Sequence, residues 1–120
     1  ILIKNNHIRL AGGIAAALER ARTHRRAGQV IEIEVRTVAE LRQALEGGAE
    51  RLLLDNMTPE QVRAAVAEIA GRVPVEVSGG VRLDTIRAYA EAGAQYISVG
   101  ALTHSAPAVD FSMRIIPIGA

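Results

Sequence analysis

Short aliphatic runs punctuate the chain at Ile1–Ile3, Val30–Val35, Leu52–Leu54, Val73–Val77 and Tyr96–Val99. From the second run onward they recur about every 21 residues, close to one compact strand-plus-helix unit. Between them the apolar positions change to helical spacing, in the stripes Ile14/Leu18/Ala21, Val38/Leu41/Leu45, Val62/Val66/Ile69 and Leu83/Ile86/Ala90. Helix starts are marked as well. Thr37 with Glu40 and Thr58 with Gln61 have capping-box spacing, the second with Pro59 at the first helical position. Gly28, Gly47, Gly48, Gly71 and Gly93 stand where those helices should stop. The pattern predicts an α/β fold of consecutive βα units on a parallel sheet.

A weak internal repeat supports this. The stretch from Glu46 to Asp55 resembles the stretch from Glu91 to Gly100: helix end, Gly-Ala turn, strand, then polar residues. Five strands are too few for a closed barrel, which typically needs eight strands over roughly 250 residues. The expectation is therefore part of a larger α/β barrel. The stretch Asp110–Ile118 alternates loosely and reads as a last strand that leaves the main sheet.

Composition narrows the function classes. Of 120 residues, 49% are hydrophobic but only 2% aromatic, so the core must be aliphatic and base-stacking platforms for single strands are lacking. A formal charge of +1 gives no sign of a nucleic-acid or membrane surface. No apolar run approaches the roughly 20 residues of a membrane span, and no signal-type stretch is evident, which makes the cytoplasm the default location. The chain begins at Ile1 rather than Met, so the native N-terminus is expected to lie upstream. The absence of cysteine excludes disulfides, thiolate catalysis and zinc–thiolate sites. Of the 14 cationic residues only Lys4 is a lysine, a compact ammonium kept where every other cation is arginine.

Buried parallel strands normally read as continuous apolar runs, so polar residues at their C-terminal ends need a reason. In barrels that end carries the active site. Lys4 follows the first run, where an ammonium suits phosphate or carboxylate; the bland alternative is a solvated loop lysine. Glu32 and Glu34 share one strand face by the period of two, and Glu34 lies nearer the C-terminal end. Asp55 ends Leu52–Asp55, and Glu76 lies between Val75 and Val77. Carboxylates at neighbouring strand ends converge on one mouth, where they can bind Mg²⁺ directly or through water, or accept from sugar hydroxyls. Asp55 could equally cap a helix, and Glu76 could pair with an arginine.

Ser78-Gly79-Gly80 follows the fourth strand, and Ser98 to Ser105 follows the fifth, with Gly100, Ala101 and His104 inside it. Glycines let the backbone approach an anion, and a histidine can hydrogen-bond phosphate in either protonation state. Two adjacent Gly-bearing loops late in a parallel series match the phosphate site barrels often build from their last two loops. His24, Arg22, Arg25 and Arg26 read as solvated helix surface. No Ser-His-Asp arrangement, Walker loop or Gly-x-Gly-x-x-Gly is present.

The strings Ile3–His7, Ile33–Val35, Leu53–Met57, Val77–Val81 and Ile97–Pro107 together resemble the C-terminal portion of quinolinate phosphoribosyltransferase, in order and over essentially the whole chain. The resemblance implies an incomplete TIM-like α/β barrel following an N-terminal sandwich domain, working as a dimer or a multiple of dimers. On that expectation, residues 1–109 are the C-terminal part of the barrel, and 110–120 form a tail strand packed on a sandwich domain outside the chain. The implied reaction joins quinolinate to phosphoribosyl pyrophosphate with Mg²⁺, giving nicotinate mononucleotide, pyrophosphate and CO₂. By position, Lys4 resembles the lysine that contacts the substrates. Glu34 and Asp55 resemble the acidic pair for the ribose hydroxyls and associated Mg²⁺. Ser78, Gly79, Gly80, Gly100, Ala101 and His104 resemble the grip on the 5′-phosphate.

Two departures qualify the match. Asn5 stands where the family usually has Asp, which touches only an outlying contact. The elements by which the family binds the two quinolinate carboxylates are expected upstream, so the 120 residues alone should show little turnover. Two other readings are a relative with a different acceptor, of the type associated with molybdenum transport genes, and a non-catalytic phosphate-binding half-barrel.

Overall fold

Five parallel strands stand side by side in chain order, and each is followed by helix in the computed structural model, which describes residues 1–119. The strands are β1 (Leu2–Ile3), β2 (Glu32–Val35), β3 (Arg51–Asp55), β4 (Val75–Ser78) and β5 (Tyr96–Ile97). The helices are α1 (Asn5–Ala11), α2 (Ile14–His24), α3 (Val38–Glu46), α4 (Pro59–Ile69), α5 (Ile86–Glu91) and α6 (Ala101–His104). Strand order without a switch point is the order of a barrel wall, and the fold is part of an incomplete TIM-like α/β barrel.

The register explains how the strands divide their residues. Ile33, Leu52 and Val75 pair across β2, β3 and β4, as do Val35, Leu54 and Val77 one pleat further on. These residues are buried under Leu18, Leu41, Val62 and Ile69 of the helices. The opposite face carries Glu32, Glu34, Arg51, Asp55, Glu76, Ser78 and Ser98. Period-two alternation therefore separates an apolar, helix-covered core from a charged inner face. That is why these parallel strands alternate instead of running continuously apolar.

Local signals explain most helix ends. Thr58 Oγ1 accepts from the Gln61 N–H while the Gln61 side chain accepts from the Thr58 N–H, a full capping box ahead of α4. At α3, Thr37 accepts from the Glu40 N–H, but Glu40 reaches back one residue further and accepts from the Arg36 N–H at 2.7 Å. Asp55 caps no helix, since Thr58 holds that position.

One element is new and two expectations change. The residues after Lys4, to which the sequence pattern assigned no element, form α1, with Lys4 in extended conformation as its N-cap and the Lys4 N–H donating to His7 Nδ1 at 3.0 Å. The helix read from Leu83 begins at Ile86, since residues 82–85 turn on hydrogen bonds between Arg82 and Thr85 and leave Leu83 exposed. His104 lies in the short α6 rather than in a loop.

From Ser105 to Gly119 the chain has neither helix nor strand and every residue is exposed. The radius of gyration of 20.3 Å, against about 13–14 Å for a compact domain of this length, reflects that projecting segment.

Candidate functional site

The sequence candidates fall into two adjoining groups at the C-terminal ends of the strands. The first forms around Glu34, the buried charged residue of the inner face. Lys4 Nζ lies 3.7 Å from Glu34 Oε2. Arg36 Nη2 lies 3.1 Å from Glu34 Oε1 and 2.9 Å from Asp55 Oδ2, and Arg36 Nε donates to the same Asp55 oxygen at 2.9 Å. The Glu34 and Asp55 side chains are only 7% and 12% exposed, whereas Lys4 and Arg36 are half-exposed. Two largely buried carboxylates are thus paired with two cations reaching in from the rim.

Arg36 went unrecognised in the sequence, although a signal existed. It follows Glu34 by two residues and so continues the face that carries Glu32 and Glu34. Lys4, Glu34 and Asp55 are brought together as expected.

The second group lines a cavity of about 440 Å³ formed by Ser78, Gly79, Gly80, Val81, Arg82, Ser98, Gly100, Ala101 and His104. All six residues expected to grip phosphate are among them. Gly79 has φ +92° and Gly80 φ +64°, a conformation that L side chains rarely adopt. The turn so formed leaves the N–H groups of Gly79, Gly80 and Gly100 outside the sheet and turn hydrogen bonds, free to donate to an anion. The His104 ring folds back over Gly100, with Nδ1 at 2.7 Å from Ser105 Oγ and Nε2 on the Gly100 side. Arg82 adds a cation at the rim, paired with Asp84 through two contacts of about 3 Å.

Register and one side chain join the two groups. Asp55 pairs with Ser78 across β3 and β4, which sets the carboxylate beside the glycine turn. Asn56 donates from its backbone N–H to the Ser78 carbonyl at 2.9 Å and from Nδ2 to Asp55 Oδ2 at 2.9 Å.

Below this mouth lies a second charged layer. Ser98 Oγ donates to Glu76 Oε1 at 2.5 Å, so Glu76 partners a serine rather than an arginine. Glu32 lies 4.0 Å from Arg51, whose guanidinium stacks 4.3 Å over the Tyr96 ring. Burial first, and the Glu76 carboxylate second, push the Glu32 carboxyl up to about 7.

Among the described residues, no group of three or more His, Asp or Glu converges as a metal cage. Glu34 and Asp55 supply two carboxylates, both already bound by Arg36. That donor set suits ribose hydroxyls or the water shell of a chelated cation better than a bare resident ion.

The chain is a wall of an α/β barrel whose strand ends set a glycine-lined cavity beside a cation-paired carboxylate pair, the end where barrels of this class carry their sites. The chain belongs to the family described as quinolinate phosphoribosyl transferase, C-terminal domain, which matches residues 1–114. It is 41% identical over 119 residues to a probable nicotinate-nucleotide pyrophosphorylase [carboxylating] of Methanothermobacter thermautotrophicus, covering 95% of this chain and 43% of that protein. It is 36% identical over 118 residues to the human nicotinate-nucleotide pyrophosphorylase [carboxylating], covering 96% of this chain and 40% of that one. The solved nicotinate-nucleotide pyrophosphorylase of Francisella tularensis superposes with a TM-score of 0.82 at 43% identity, over 91% of this chain and 39% of that one. The chain thus spans less than half the length of these relatives.

Proposed function

We propose that the protein carrying this chain transfers the phosphoribosyl group of phosphoribosyl pyrophosphate to quinolinate with decarboxylation, giving nicotinate mononucleotide, pyrophosphate and CO₂. The observation that carries the reading is the adjacency of the two groups. A 5′-phosphate in the glycine-lined cavity sets its ribose one strand over, against Glu34 and Asp55.

In this reading the ribose hydroxyls donate to the two carboxylates, and Lys4 stands at the border where diphosphate or acceptor carboxylate arrives. The C1–O bond breaks with its electron pair leaving on pyrophosphate, and the quinolinate nitrogen forms the new bond to C1. The ribose carries oxocarbenium character between these events, and fixed carboxylates beside it stabilise the developing positive charge. The ring nitrogen is then a pyridinium, which accepts the electron pair released when CO₂ departs; a proton replaces the lost carboxylate. Glu34 and Asp55 would hold Mg²⁺, directly or through water, and the ion would supply neutralisation of the charge on the diphosphate.

Assembly as a homodimer or multiple of dimers and a cytoplasmic location complete the proposal. Among the described residues no helix is long and apolar enough to cross a membrane. Calorimetric binding of phosphoribosyl pyrophosphate with Mg²⁺ tests the reading. It should be lost in Glu34→Ala and in Asp55→Ala, and unchanged affinity in both variants would refute it.

A further inference from the structure

We infer that Arg36 is a built-in counter-ion that holds Glu34 and Asp55 until a chelated cation or sugar hydroxyls take the same oxygens from it. The identity of that ligand rests on the phosphoribosyl reading; the exchange itself rests on geometry. A single guanidinium contacts both carboxylates, through Nη2 at 3.1 Å to Glu34 and at 2.9 Å to Asp55. The two acceptor oxygens are therefore no more than about 6 Å apart. Opposite oxygens around Mg²⁺ are separated by roughly 4 Å, so a cation with part of its water shell spans the gap that Arg36 spans.

Exposure makes the exchange one-sided. The carboxylates are almost fully covered and fixed to strands, while the Arg36 side chain is 52% exposed. Water can take over the guanidinium when it leaves, but it cannot reach the carboxylates as freely. They consequently need a replacement cation or donor on the spot. The local charge agrees. Glu34 and Asp55 are balanced by Lys4 and Arg36, so a divalent cation entering with Arg36 still in place would leave the pocket overcharged.

The backbone does not have to move, since the Arg36 N–H is anchored on Glu40 and only the side chain rotates. Arg36 is on this account a positioning residue. It offsets the repulsion between two neighbouring carboxylates, and it sets a threshold that a weakly binding free cation does not pass.

Titration with Mn²⁺ alone, followed by its paramagnetic signal and by thermal unfolding, tests this in the purified protein. Wild type should bind Mn²⁺ weakly and gain little thermal stability. Arg36→Gln should bind at least about tenfold more tightly and be stabilised by the ion, and adding Asp55→Asn should abolish the gain. Arg36→Lys, whose ammonium cannot fork across both carboxylates, should fall between the two. Equal Mn²⁺ affinity in wild type and Arg36→Gln would overturn the inference. Should Arg36→Gln fail to fold, equal affinity in wild type and Arg36→Lys would overturn it instead. A gain in Mn²⁺ binding with no phosphoribosyl pyrophosphate binding in any form would leave the Arg36 exchange standing and sink the phosphoribosyl reading. Phosphoribosyl pyrophosphate binding without that gain would do the reverse.

Discussion

Asn56 occupies the space that a methyl group on Gly79 would need. A Cβ built there meets Asn56 Cγ at 2.7 Å and Asn56 N at 2.8 Å, and the Gly79 backbone is already at φ +92°. Asn56 itself has φ 55°, which asparagine tolerates better than most residues. The same side chain holds Asp55, so the loop after β3 and the loop after β4 are fitted to each other. Gly79→Ala must therefore displace Asn56 as well as strain its own backbone. A stability loss of about 2–4 kcal/mol is expected from these two effects. Affinity for inorganic phosphate and for phosphoribosyl pyrophosphate should fall together, because both halves of the site shift. Chemical unfolding with parallel calorimetry measures both; a wild-type phosphate affinity in a folded Gly79→Ala protein would contradict the coupling.

The Glu32 carboxyl gives a pH dependence of definite sign. Its ordinary value of 4.5 is raised to about 7 in the folded protein, by burial and then by Glu76. Below about pH 4.5 the group is protonated whether the chain is folded or not. Between about 4.5 and 7 the folded protein retains a proton that the unfolded chain has lost. Stability from this group is therefore highest at the acid side and declines as pH rises through that window, by on the order of 1–2 kcal/mol after allowing for solvent screening. Glu32→Gln should flatten the decline and unfold at a higher temperature than wild type at pH 8. An unchanged slope in thermal unfolding across pH 5 to 8 would show that Glu32 does not titrate there.

Tyr89 ties the helix after the Gly79–Gly80 turn to the loop after Asp55. Its hydroxyl donates to the Met57 carbonyl at 3.0 Å in a buried setting. Tyr89→Phe removes the donor and leaves that carbonyl without a partner, which should cost about 1–3 kcal/mol. Urea unfolding checks it, and a loss below the measurement error would mean that the loop relaxes to satisfy the carbonyl elsewhere.

Fold and site were legible in the sequence to different depths. The period-two alternation in Ile31–Val35 and the Gly-Ala turns before β3 and β5 state the strand, its inner face and the unit repeat, since each follows from local geometry. The glycine-lined cavity was legible because Gly79 and Gly80 take the positive φ that glycine favours, and both glycine loops fall after strands. Arg36 was missed because its role depends on Asp55, a partner on the neighbouring strand that no local pattern announces. The inner-face layer was missed for the same reason, since Glu32 meets Arg51 and Glu76 meets Ser98 only through the register of adjacent strands. Helix α1 was announced by no stripe or capping pattern, because its first turn is closed by His7 on the Lys4 N–H.

His104 offers the most direct test of the phosphate cavity. Its ring is seated over Gly100, where a Cβ would stand only 2.8 Å from Nε2, and its Nδ1 faces Ser105 Oγ at 2.7 Å. The serine fixes the ring orientation from one side and Gly100 leaves room for it on the other. His104→Ala removes one expected hydrogen-bonding partner of a bound phosphate and should weaken binding about 10–150-fold, the value of one hydrogen bond to a charged group. Gly100→Ala leaves the imidazole in the protein but pushes it off its seat. It should therefore weaken binding by a similar factor, and the double variant should lose little more than either single change. Calorimetry of inorganic phosphate binding to the three variants measures this; losses that simply add would show that His104 and Gly100 act independently and that the ring does not rest on the glycine.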